Sequence, residues 1–164
     1  MPNGCLKVYM YIVEMTEKNL GDVASCYVLG WKSSHAKLYA NDYVEAFTPE
    51  KTATFLKKDQ GTERITFVAY DKGNAIGFIT IDKEKCDIPR LYVIPEKQRQ
   101  GVGTKLIEFG IKQLSAITRI YVSLIAANEP GIGFFEGYGF EFTGEQRTMK
   151  NGLLELKYVY KRKK

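Results

Sequence analysis

Apolar residues cluster along this chain in two rhythms. Short stretches dominated by β-branched and aromatic residues read as strands, and between them apolar positions recur at spacings of three and four, the signature of a buried helix face. Residues 7–15 (KVYMYIVEM) predict a first strand, and Thr16-Glu17-Lys18-Asn19 a helix cap. A helix follows over 20–32, with Leu20, Val23, Ala24, Tyr27, Val28 and Trp31 on one face. Residues 36–47 fit a second helix or a loop. Thr48-Pro49-Glu50 then starts a helix reaching about residue 58, because Pro is tolerated in the first turn and Glu suits the N-terminal end. Strands over 65–71 and 75–82 flank a Lys72-Gly73-Asn74 turn, and another runs over 88–94. A long helix places Val102, Leu106, Ile107, Gly110, Ile111, Leu114 and Ile117 on one face. A strand over 118–126, a short helix over 129–138 and a final hairpin turning at Asn151-Gly152, a type I′ signal, complete the order.

Composition narrows the class. With 164 residues and 45% apolar content, the chain is expected to be one domain, 1–164, with a sizeable core. The formal charge of +5 invites nucleic acid until it is located: Lys161-Arg162-Lys163-Lys164 carries +4, so the body carries +1. A basic tail over 161–164 reads as a solvated terminus, and no basic stripe interleaved with aromatics exists elsewhere. No apolar run is long enough for a membrane span, and the N-terminus lacks the charged start and cleavage site of a leader. The cysteines Cys5, Cys26 and Cys86 have neither metal nor disulfide spacing, so no metal and a reducing, cytoplasmic setting are expected.

The chemistry concentrates at LYVIPEKQRQGVGT, residues 91–104, where a strand feeds a glycine loop that opens a helix. That arrangement offers backbone N–H groups at the positive end of a helix dipole, a natural seat for phosphate. Three phosphate loops compete. The P-loop spacing is absent, and the dinucleotide pattern begins at Gly101 and Gly103 but meets Leu106 where its third glycine belongs. Gln98, Gly101 and Gly103 after Leu-Tyr-Val-Ile-Pro fit a third loop, and here the chain resembles the GCN5-related N-acetyltransferases. Asn128 followed by Phe134, Gly139 and Phe140 resembles a second signature of that family, and the order of elements agrees. The resemblance implies a single α/β domain. Its mixed, mostly antiparallel sheet would splay between the strands 88–94 and 118–126, with flanking helices. It implies acetyl-CoA as co-substrate and direct acetyl transfer to a primary amine of a small molecule or peptide. Dimerisation through the C-terminal strands is compatible with it.

Carried over residue by residue, the resemblance assigns the CoA pyrophosphate to Gln98, Arg99, Gln100, Gly101, Val102, Gly103 and Thr104, with Lys105 either adding charge or facing water. Pantetheine would pair with the backbone of Tyr92, Val93 and Ile94, the Val93 N–H facing the thioester carbonyl, and with Asn128. Acetyl transfer also needs a base, because an amine of pKa about 10.4 is protonated at neutral pH. Asp87 is the leading candidate, Glu45 and His35 weaker ones, and His35 is expected in an exposed loop. Cys86 reads as a buried spectator thiol. The family's usual acid is a tyrosine, and the chain has Phe135 there, at a position the resemblance sets among the cofactor contacts. Tyr138, one turn on, is the remaining candidate; otherwise the thiolate leaves unaided. This departure keeps a non-catalytic acyl-CoA-binding domain as the alternative. Trp31, Tyr39, Tyr43 and Glu45, with Asp42 and Phe47, are expected near an acceptor pocket, their acidic members fitting a cationic amine. Finally, Pro89 inside a central strand demands a bulge or a splayed edge.

Overall fold

The computed structural model describes residues 10–162, and the first part of the expected N-terminal strand and the end of the basic tail lie outside that range. Strands β1 (Met10–Glu14), β2 (Arg64–Asp71), β3 (Asn74–Asp82), β4 (Asp87–Val93), β5 (Arg119–Ile125), β6 (Glu141–Thr148) and β7 (Leu154–Lys161) form one sheet in the order β1-β2-β3-β4-β5-β7-β6. Every neighbouring pair is antiparallel except β4 with β5. Helices α1 (Leu20–His35), α2 (Asn41–Ala46) and α3 (Pro49–Lys58) precede the β2–β3 hairpin, while α4 (Val102–Gln113) and α5 (Glu129–Tyr138) flank β5 in sequence. Among the described residues no helix is long and apolar enough to cross a membrane.

Alternation along β3 sorts the two faces. Ile79 and Ile81 approach Gly110 of α4, and Phe78 meets Tyr27 of α1. Gly110 has no side chain because a Cβ there would lie 2.6 Å from Ile79 Cδ1. The core that results includes Val23, Leu56, Val68, Ile76, Leu106, Ile107 and Ile120, all essentially inaccessible.

Local signals set several boundaries. Thr48 accepts from the Lys51 N–H and Pro49 occupies the first turn of α3. Asn19 behaves otherwise than expected. Its Oδ1 turns back to accept from the Thr16 N–H at 2.7 Å instead of capping α1. The region 36–47 resolves into a 3₁₀ turn, Ala36–Leu38, followed by α2. Helix α4 stops at Gln113, so Ile117 packs from the following turn. At Asn151-Gly152 only Gly152 of the two has positive φ, whereas type I′ needs both. The Gly152 N–H bonds the Met149 carbonyl and the Met149 N–H bonds the Leu153 carbonyl, which is a three-residue loop with a left-handed third position.

Pro89 falls where its missing N–H costs nothing. Thr80 pairs with Arg90 but Asp82 pairs with Asp87, so Ile88 and Pro89 together oppose Ile81 in a bulge. On its other side β4 meets β5 at one residue pair, Asp87 with Tyr121, joined by the Tyr121 N–H to the Cys86 carbonyl at 2.9 Å. From there the two strands part. The splay between β4 and β5 is therefore present, with its vertex at Asp87.

Candidate functional site

The gap between β4 and β5 is lined on one side by a usable strand edge. The Ile94 N–H bonds the Ile76 carbonyl at 2.9 Å, which makes that pair hydrogen-bonded in the antiparallel ladder. By alternation Tyr92 also turns its N–H toward β3, while Val93 and Leu91 turn theirs toward the gap. Of the three residues expected to offer backbone to a ligand, Val93 has its N–H directed into the gap; the Ile94 N–H is already engaged and the Tyr92 N–H is directed at β3. Tyr92's ring fills the space beside Gly30, where a Cβ would lie 2.7 Å from the Tyr92 Cβ, and stacks on Tyr27 at 5.2 Å. Burial drives its hydroxyl pKa far up.

Beyond Val93 the chain makes a 3₁₀ turn, Pro95–Lys97, and enters the glycine loop. Lys97 ties this turn to the end of β2 through Asp71 at 3.3 Å. Gln98 Nε2 donates to the Val93 carbonyl, and Gln100 Nε2 to the Glu96 carbonyl, each at 3.1 Å. These two amide side chains brace the loop, and both residues stay exposed at its surface. Arg99 and Gly101 both take positive φ, 62° and 83°. Gly101 is the N-cap of α4, where no side chain caps the helix and no acid sits in the first turn. The N–H groups of Val102, Gly103 and Thr104 are thus left to an incoming anion.

The two glycines have different reasons. At Gly101 the reason is backbone conformation, since open space surrounds its absent Cβ. At Gly103 it is packing: a Cβ would sit 3.2 Å from Phe134 Cε2. Phe134 therefore joins α5 to the glycine loop, beside Val93, a role that sequence reasoning did not give it. Phe135, expected at the cofactor, instead packs edge-on against Phe134 and Phe140 and is 5% exposed. Asn128 begins α5, with Oδ1 accepting from the Gly131 N–H at 3.2 Å. Tyr138 ends the same helix, about 15 Å away at 1.5 Å per residue. It packs on Phe140 and Tyr160, and Tyr160 pairs with Ile120 at the closed end of the gap. The structure does not bring Tyr138 to the loop or to Asn128, and burial raises its pKa.

On the sheet face that carries α1, an open cleft of about 470 Å³ lies at the vertex, walled by Asp87, Tyr121, Ser123, Glu145, Arg147 and Lys157. Asp87 is half-buried, and its Oδ1 is buried with no hydrogen-bond partner among the described residues. Desolvation, and then the charge of Asp82 across the ladder, raise its pKa; Arg64, Lys85 and Lys157 pull the other way. Asp82 is held low despite burial by the Lys85 N–H, Arg64 and the Glu84 N–H. A carboxylate kept basic beside one kept acidic is a chemically useful pair. Neighbouring Cys86 is not the buried thiol expected: it is half-exposed at φ 56°.

The residues expected on the acceptor side separate into two groups. Trp31 is interior, 6% exposed, stacked on Phe47 at 4.3 Å and on His35 at 5.5 Å. His35 is likewise not an exposed loop residue. It closes α1, 2.7 Å from Ser34 Oγ, and burial lowers its pKa. Tyr39 and Tyr43 do line a pocket, of about 340 Å³, with Met149, Asn151 and Leu153 of the β6–β7 loop opposite. Glu45 is exposed on α2 and lines neither space. Nothing local marks Met149 or Leu153, because their position depends on how the hairpin folds over the sheet.

Comparison with known proteins agrees with this geometry. The family model described as "Acetyltransferase (GNAT) domain" matches residues 37–162. The spermidine N(1)-acetyltransferase of Thermoplasma acidophilum is 25% identical over 136 residues, covering 78% of this chain and 84% of that protein. Among solved structures, the PaiA N-acetyltransferase of T. acidophilum in complex with coenzyme A superposes with a TM-score of 0.74 at 19% identity, over 92% of this chain and 99% of that one. The ribosomal-protein-S18-alanine N-acetyltransferase of Escherichia coli gives 0.71 at 18% identity, over 93% of each. A strand edge that leaves its neighbour just before a glycine-opened helix, on a chain whose family model spans residues 37–162, identifies this protein as a member of the GNAT acetyltransferase family.

Proposed function

We propose that this chain transfers an acetyl group from acetyl-CoA to a primary amine, with the thioester lying in the gap between β4 and β5. The observation that carries the reading is the alignment of that gap with the uncapped start of α4. The N–H groups of the loop and first turn receive the pyrophosphate, and Arg99 supplies positive charge. The β4 edge from Val93 back to Leu91 receives pantetheine as a further strand. Asp87 lies six residues from Val93, about 20 Å at 3.3 Å per residue, and four from Leu91, about 13 Å. The Leu91 N–H is therefore the better-placed oxyanion donor for a reaction served by Asp87, through an intervening water. Asp87 takes a proton from the ammonium group, the neutral nitrogen attacks the carbonyl carbon, and the C–S bond breaks as the amide forms, the second nitrogen proton passing through solvent to the departed thiolate. With Phe135 in the core and Tyr138 remote, the thiolate leaves without a tyrosine donor, as a thiol pKa of about 8.5 allows.

The test begins with thermal unfolding in acetyl-CoA, CoA, ATP and NAD. Saturation to 100 times Kd adds about 2.7 kcal/mol, so stabilisation by the CoA species alone is expected, and its absence overturns the assignment. Turnover with a panel of amines follows, with Asp87→Asn as control. Stabilisation by acetyl-CoA without turnover of any amine would favour the second reading, a non-catalytic acyl-CoA-binding domain, which the core position of Phe135 keeps relevant.

A further inference from the structure

The pocket beneath α2 has a chemistry of its own. Tyr39 and Tyr43 stack at 5.0 Å with planes 18° apart, and Tyr43 is 54% exposed. Facing them are Met149, Asn151 and Leu153, and none of the described residues that line the pocket is charged. Asn151 lies near the Tyr39 hydroxyl. The nearby carboxylate, Glu155, is engaged by Arg147 at 2.6 Å. Its volume of about 340 Å³ sits at the small end of ligand pockets, roughly 300–1,000 Å³.

Its location ties it to the gap. On one side Tyr39 leans on Trp31 at 5.1 Å, and the stacked His35 meets Tyr92 of β4 at 6.1 Å. On the other side the Leu154 carbonyl accepts from the Ala126 N–H at 2.8 Å, at the end of β5. The pocket thus bridges the open mouth of the two parted strands. We propose that the acceptor is a primary amine bearing an aromatic or branched aliphatic substituent, which Tyr39, Tyr43, Met149 and Leu153 select by enclosing it. A second ammonium group, as in a polyamine, would find no carboxylate among these walls and would lose its water there. This inference rests on the acetyl-transfer reading above for its kinetics but not for its binding test.

The kinetic test compares 2-phenylethylamine, n-propylamine, spermidine and a phenylalanine-initiated tripeptide amide at saturating acetyl-CoA. Burial of a ring-sized group predicts kcat/KM for 2-phenylethylamine about 10- to 100-fold above n-propylamine, with spermidine no better than n-propylamine. In Leu153→Asp the ratio of 2-phenylethylamine to n-propylamine should fall toward one. A tripeptide that outruns the free amine supports the same pocket and identifies a chain terminus as its source. The binding test uses wild-type protein carrying ¹³C-methyl methionine: 2-phenylethylamine should move the Met149 signal and n-propylamine should not. Movement without acetylation would sink the transferase reading and leave the pocket standing. Preference for spermidine, or an unmoved Met149, overturns the proposal.

Discussion

At the scale of single residues, Asp87, the proposed base, shows how a buried carboxylate burdens the fold. Its folded pKa is raised, so ionisation opposes folding, and stability present at low pH is lost as pH rises through that pKa. Asp87→Asn should therefore melt at a higher temperature than wild type near neutral pH, with the difference vanishing in acid. Its kcat should fall by about 10²–10⁴, and melts at several pH values beside steady-state rates check both. Gly103→Ala should push Phe134 aside and weaken CoA binding several-fold in a titration. Gly101→Ala should instead cost about 1 kcal/mol of stability through its positive φ, read from urea denaturation. The glycine pattern was legible in the sequence; the reasons for each glycine were not. Phe134 and Phe135 are neighbours about 100° apart on a helix. Which one faces the loop is decided by the docking of α5, and no local signal carries that.

At the scale of elements, boundaries written in short-range chemistry were readable. Helix α5 begins and ends as expected because Asn128, Pro130 and Gly139 mark it within a turn. Pro89 called for a bulge or a splayed edge for the same kind of reason, and a bulge is there. What the sequence hid were consequences of contacts between distant segments: the burial of His35 under Trp31, and the ion pair of Arg90 on β4 with Asp59 just after α3. That pair is 11% and 12% exposed at its side chains, and Arg90 also lies over the Tyr27 ring at 5.7 Å. Asp59→Asn would leave the guanidinium buried without its partner, and denaturation should show a loss of about 3 kcal/mol or more. A loss confined to a few tenths would mean that Arg64, 3.8 Å from Asp59, or the Tyr27 ring takes over its role.

For the whole molecule, the order of elements was read from the apolar patterning and the parted central strands were expected from the family resemblance, and the fold bears out both. The walls of the proposed acceptor pocket were only half legible, since α1 and α2 supplied aromatic residues to the eye while the β6–β7 loop supplied Met149 and Leu153 unannounced. The single pairing of Asp87 with Tyr121 has a wider consequence. Beyond that pair the sheet behaves as two smaller ones, β1 to β4 and β5 to β6, with two interior margins besides its two outer ones. Interior margins are open to any extended chain, including that of a neighbour. Amide exchange at Leu91 and Val93 should accordingly be fast in the free protein and slow with CoA bound. In concentrated solution the CoA-free protein should self-associate on mild heating sooner than the liganded one. The ligand, on this view, serves the protein as a strand it does not encode.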